Sequence, residues 1–183
     1  MLDLNEIREK MDKAIGAYKR ELSKLRTGRA SAALIDGITI NYYGAATPID
    51  QTSQISVPEA KQLMIKPYDK SILIDIEKAI AAANIGLTPN NDGEVIRLNV
   101  PALTEETRKE LAKKVKALAE DGKVAIRNVR RDANDIIKKA EKAKEITEDD
   151  VKSDEADVQK MTDEFIKQIE EIASAKEKDI LSV

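Results

Sequence analysis

Apolar side chains recur at alternating steps of three and four along three separate stretches of the chain. The first runs Leu4, Ile7, Met11, Ile15, Tyr18, Leu22 and Leu25. Asp3 precedes it as a candidate N-cap, Glu6 follows at near capping-box spacing, and Gly28 supplies a stop. The second follows Pro101, with Thr104 as N-cap and Glu105 and Glu106 placed to complement the helix dipole. Its apolar positions are Leu111, Val115, Leu118, Gly122, Ala125/Ile126, Val129, Ala133, Ile136, Ala140 and Ala143. The third starts at Thr147, with Asp150 completing a second box, and continues through Val151, Val158, Met161, Phe165, Ile169, Ile172, Lys176 and Ile180. Such a seam predicts helices packed as in coiled coils. At about 1.5 Å per residue they span roughly 35, 60 and 50 Å, an elongated bundle.

Residues 31–103 break this period. All five Pro and most Gly lie here or at its edge, between short β-rich runs. Strands are expected at 37–43, 54–57, 62–65 and 95–99, and a helix over 72–83 with Leu73, Ile76, Ile80 and Ala83 on one face. Tyr42-Tyr43-Gly44 reads as a strand end and turn, and Leu87–Asn90 as a turn. The expected fold class is α+β. Residues 1–30 plus 104–183 form an antiparallel three-helix bundle, and residues 31–103 form a small, β-rich α/β domain inserted into it. The chain crosses between the two twice, so a two-stranded hinge is expected at Gly28, Ala30 and Ser31 and at Ala102 and Leu103.

Composition then narrows the function. The 183 residues include no Cys, no His and no Trp. Disulfides, thiol nucleophiles, His-based triads and the commonest transition-metal ligand are absent. No apolar run approaches the roughly 18 residues of a membrane span, and Met1–Glu6 does not read as a signal peptide. A soluble, intracellular protein with no catalytic residues, metal or cofactor is expected. Acid pairs such as Asp149/Asp150 and Glu170/Glu171 read as solvated helix surface.

The net charge of −3 conceals polarity along the chain. Residues 1–31 carry 8 basic and 5 acidic side chains, residues 32–103 carry 5 and 8, residues 104–146 carry 13 and 9, and residues 147–183 carry 5 and 12. Within the second helix, no acid occurs from Gly122 through Arg131. On a wheel with Val129 at 0°, Arg130 falls at about 100°, Lys123 at about 120°, Asn134 at about 140°, Arg127 at about 160°, Lys138 at about 180° and Arg131 at about 200°. Asp132 and Asp135 fall elsewhere. A basic stripe opposite the seam suits phosphate oxygens, and the scarcity of aromatics argues against base stacking. Folded RNA, gripped by its phosphates, is the indicated ligand. The competing reading is a helical scaffold whose basic face is merely solvated; a nuclease is a more distant one. Arg26-Thr27-Gly28-Arg29 forms a second basic patch, which also suits a helix C-terminus.

Five motifs carry a resemblance across essentially the whole chain. They are Leu25-Arg-Thr-Gly-Arg-Ala-Ser31, Tyr42-Tyr-Gly44, Gly86-Leu-Thr-Pro-Asn90, Pro101-Ala-Leu-Thr-Glu-Glu106 and Arg127-Asn-Val-Arg-Arg-Asp-Ala-Asn-Asp135. In order and spacing they resemble the bacterial ribosome recycling factor family. The resemblance implies a cytoplasmic, monomeric factor that binds the large ribosomal subunit and its rRNA after termination. With elongation factor G and GTP it would split the ribosome. It further implies rRNA contact by Arg26, Arg127 and Arg130, extended here to Arg29, Lys123 and Arg131. Gly122-Lys123 departs from the family pattern; glycine costs about 1 kcal/mol in a helix interior, so a softer helix is expected there.

Overall fold

The computed structural model describes residues 2–182 and divides into two compact units. Within the described residues, one comprises residues 2–25 and 109–181, the other residues 26–108 and 182. Each is built around its own core.

The first unit consists of α1 (Leu4–Ser23), most of a long helix over Glu105–Lys142, and a third helix over Glu148–Leu181. The starts are capped as their sequences require. Asp3 accepts from the amides of Asn5 and Glu6. Thr147 and Asp150 close a reciprocal box, each side chain accepting from the other residue's amide at 3.2 and 2.9 Å. Glu6 does not close the box at Asp3; its carboxylate pairs with Lys10 at 3.0 Å, one turn on. Helix α1 ends at Ser23, before the expected stop, and Gly28 takes a left-handed φ of 78° in the following loop. The long helix is continuous through Gly122. Tyr18 and Ile169 approach that glycine closely.

The seam of the long helix is rotated from its expected position. Leu111, Val115, Ala119, Gly122, Ile126, Ala133, Ile137 and Ala140 are buried, whereas Val129 is half-buried and Ile136 is 39% exposed. The centre of the buried face therefore lies about 45° from Val129, towards Arg130. Lys123–Glu170 and Arg130–Gln159 contacts show that the two long helices run antiparallel. Arg8 reaches Glu164, and Tyr18, further along α1, lies near the charge of Glu177, so α1 runs parallel to the third helix.

The second unit has a hairpin of β1 (Thr39–Tyr42) and β2 (Ala45–Pro48), and a short helix α2 (Ile49–Thr52). A four-stranded antiparallel sheet follows, formed by β3 (Ser53–Glu59), β4 (Gln62–Pro67), β5 (Pro89–Asn91) and β6 (Ile96–Asn99) in the order β3-β4-β6-β5. Helix α3 (Leu73–Ala83) buries Leu73, Ile76 and Ile80, and ends at Asn84 in the left-handed conformation. With these labels the two long helices are α4 and α5. Leu63 pairs with Leu98 and Ile65 with Ile96 across β4 and β6; all four are fully buried. Strands β2 and β5 were not expected: the first is only four residues with a proline, and the second occupies part of the expected 87–90 turn.

Candidate nucleic-acid interface

The rotation of the α4 seam decides where each cation of the stripe goes. Measured from the observed buried face, Arg130 and Lys123 lie about 55° and 75° away, on the flank that meets α5. Arg127 and Arg131 lie about 115° and 155° away, facing outward. The contacts follow this division. Lys123 Nζ stands 3.0 Å from Glu170 Oε1 on α5, and its side chain is only 20% exposed. Arg130 donates to Gln159 Oε1 at 3.3 Å, and Gln159 in turn donates to Asp163. Arg127 pairs with Glu120 on its own helix at 3.1 Å. Arg131 and Lys138 are exposed, and their side chains form no hydrogen bond or ion pair among the described residues.

These environments differ in what they offer an anion. An exposed pair such as Arg127–Glu120 is worth roughly 0.2–1 kcal/mol, so a phosphate can displace its carboxylate at little cost. Arg131 is available without any exchange. Lys123 is the least available cation, since Glu170 neutralises it in a partly enclosed setting. Beside it runs a groove of about 300 Å³ between α4 and α5, lined by Lys116, Lys123, Glu120, Glu170, Ser174 and Glu177. Burial raises the Tyr18 phenol above its ordinary pKa of 10.0, and the nearby Glu177 charge adds to the shift. Asn134 is half-buried, its Oδ1 enclosed without a partner.

The second basic patch behaves differently. Arg26 donates from Nη1 to the carbonyl oxygen of Ile85, just after α3, and the same nitrogen lies over Gly86. Arg29 donates to Ser182 Oγ at 3.1 Å. The amides of Ala30 and Val100 donate to the adjacent carbonyls of Ala60 and Lys61, both at 2.8 Å. Ala30 is a core residue of the second unit. Of the expected hinge residues, Ala30 is thus fastened within this unit, Gly28 adopts a positive φ, and Ser31, Ala102 and Leu103 flank the fastened amides. The partners Glu170, Gln159 and Ile85 escaped the sequence reading because each comes from a distant element.

Among the described residues no group of His, Cys, Asp or Glu is arranged to hold a metal, and no helix is long and apolar enough to cross a membrane. The chain is a two-unit α+β protein, in which a three-helix unit carries a basic stripe and a small β-rich unit is inserted in sequence between its first two helices. The family model for ribosome recycling factor matches residues 18–181. The ribosome-recycling factor of Bacillus licheniformis is 57% identical over 180 residues, covering 98% of this chain and 97% of the relative. That of Bacillus subtilis is 56% identical over the same span. A solution structure of a ribosome recycling factor superposes with a TM-score of 0.78 at 42% identity, covering 98% of this chain and 95% of the other. A second similar structure models the Thermus thermophilus ribosome recycling factor, with Escherichia coli elongation factor G, bound to the Escherichia coli post-termination complex. Its TM-score is 0.68 at 42% identity, over 97% and 96% of the two chains. The chain belongs to the ribosome recycling factor family.

Proposed function

We propose that this chain is a translation factor that binds the post-termination ribosome through large-subunit rRNA. With elongation factor G and GTP it splits the particle into subunits for a new round of initiation. The observation that carries the reading is the outward face of α4. There Arg131 and Lys138 stand unpaired among the described residues, and Arg127 is held only by an exposed carboxylate. The Thermus relative on its post-termination complex supports the same setting and the same partner. Arg130 contributes from the flank, while Arg26, Arg29 and Lys123, each engaged by a protein partner, contribute least. The chain itself hydrolyses nothing, needs no cofactor, and works as a cytoplasmic monomer. The two crossings, near Gly28 and near Ala102–Leu103, act as the hinge between residues 1–30 plus 104–183 and residues 31–103.

Ribosome cosedimentation over a salt series tests the RNA contact: binding falls steeply as salt rises. Light scattering then follows subunit splitting, which requires elongation factor G and GTP together with this chain. A chain that never sediments with ribosomes, at any salt, overturns the proposal in favour of a scaffold.

A further inference from the structure

On the flank of α4 that faces α5, two cations meet partners of different charge. Lys123 is answered by the carboxylate of Glu170 at 3.0 Å, which neutralises it. About two turns further along, the half-buried Arg130 is answered by the neutral side-chain amide of Gln159 at 3.3 Å. No carboxylate pairs with Arg130 among the described residues. That neutral partner runs against the composition of α5, since residues 147–183 carry 12 acidic side chains and 5 basic ones. An acid is close by, but Gln159 engages it: its Nε2 donates to Asp163 Oδ1 at 2.8 Å, one turn on. A carboxylate only accepts, so the amide nitrogen faces Asp163 and the amide oxygen is thereby turned to Arg130.

Gln159 and Asp163 are exposed, so these bonds add little to stability; what they fix is a direction. A free arginine populates many rotamers, and ordering it on binding costs affinity. Gln159 supplies that order beforehand. Because its oxygen is uncharged, the guanidinium keeps its full charge and its remaining donors for an anion. A carboxylate in the same place would hold the fork equally well and cancel the charge. We propose that Gln159 is a positioning residue for Arg130, aiming the guanidinium along the α4–α5 flank at an RNA phosphate without neutralising it. This assignment rests on the ribosome-binding function proposed above.

Ribosome cosedimentation of the intact chain over a salt series separates direction from charge. Gln159→Met keeps the length of the side chain but offers no acceptor to Arg130. It weakens binding by about fivefold, the usual cost of ordering one long side chain, and leaves the salt slope unchanged. Gln159→Glu holds Arg130 but neutralises it, and lowers the slope by about one, as Arg130→Ala does. Neither substitution shifts the urea unfolding midpoint, because the position is exposed. In an Arg130→Ala background, Gln159→Met has no further effect on binding, a coupling that a merely structural role does not produce. Wild-type affinity in Gln159→Met, or a wild-type slope in Gln159→Glu, overturns the positioning role. An equal loss from Gln159→Met with and without Arg130 overturns it too. Wild-type binding by Arg130→Ala removes the contact that Gln159 serves, and overturns the proposal while the outward face of α4 still accounts for binding. A wild-type chain that fails to sediment with ribosomes overturns the underlying function, and this proposal with it.

Discussion

The ring of Tyr18 on α1 lies so close to Gly122 of α4 that a β-carbon at Gly122 would stand 3.3 Å from the ring's Cγ. Ile169 Cδ1, from α5, lies at the same distance. All three helices of the first unit therefore meet at one missing side chain.

Two opposed effects decide what Gly122→Ala does. Alanine raises helix propensity by about 1 kcal/mol. The added methyl also presses on two neighbours at tight range, and overpacking a core costs typically 1–3 kcal/mol. Ile169 Cδ1 can swing away, but Tyr18 Cγ is the root of a rigid ring and cannot move without its helix. Gly122→Ala therefore lowers stability by about 1 kcal/mol, and Gly122→Val by more, in urea unfolding of the intact chain. A gain of the full propensity increment in Gly122→Ala would show that the close approach does not constrain α4. Tyr18→Phe is the companion substitution. The Tyr18 hydroxyl is buried without a hydrogen-bond partner, so its removal is neutral or stabilising.

Arg26 gives the second prediction. Its guanidinium donates to the Ile85 carbonyl, which fastens the segment leaving α1 to the turn after α3. Arg26→Ala costs about 1 kcal/mol of stability, the usual net worth of such a bond at an exposed site. Hydrogen exchange rises at the amides of Ala30 and Leu87, while the salt slope of ribosome binding stays unchanged. Exchange left at the wild-type level, with a shallower salt slope, would assign Arg26 to RNA instead.

The limits of sequence reading are visible in α4 and in this same arginine. The three-four spacing of Leu111, Val115, Gly122 and Ile126 was sufficient to locate the helix and its buried side, because one helix carries its own period. It left the seam uncertain by about 45°, because Val129 and Ile136 are as apolar as the Ile137 that is buried in their place. That rotation separates Lys123 and Arg130, turned towards α5, from Arg127 and Arg131. Partners such as Glu170 and Ile85 leave no local trace, since their approach is set by packing between distant elements. Strand β5 was hidden for a related reason: Pro89-Asn90-Asn91 has weak strand propensity and pairs only because β6 lies beside it.

Acid sensitivity should concentrate at the β5–β6 turn. Asp92 accepts from the amides of Val95 and Glu94 and from Arg97, and these bonds lower its pKa from 3.8 to about 2. A carboxyl whose pKa is depressed by folding stabilises the native state above its unfolded value. That contribution disappears as pH falls through the folded value. The turn therefore weakens between about pH 4 and pH 2. Asp92→Asn removes this component of the acid transition, observed as faster exchange at the Glu94 and Val95 amides at neutral pH. An acid profile of exchange at these amides identical in Asp92→Asn and wild type would contradict the assignment.

The division of the stripe on α4 predicts that its cations differ in their contribution to salt dependence. Each phosphate contact adds about one counterion to the slope of log affinity against log salt. Arg131, with no competing carboxylate among the described residues, contributes this in full, so Arg131→Ala lowers the slope by about one. Lys123 is neutralised by Glu170 at 3.0 Å, and binding there releases no extra ion while that pair persists. Lys123→Ala consequently changes the slope little. Glu170→Gln does the opposite: it frees Lys123, raises ribosome affinity at low salt and steepens the slope. Equal slope losses for Arg131→Ala and Lys123→Ala, with no gain from Glu170→Gln, would mean that RNA breaks the Lys123–Glu170 pair on binding, and the flank and outer face would then act as one surface.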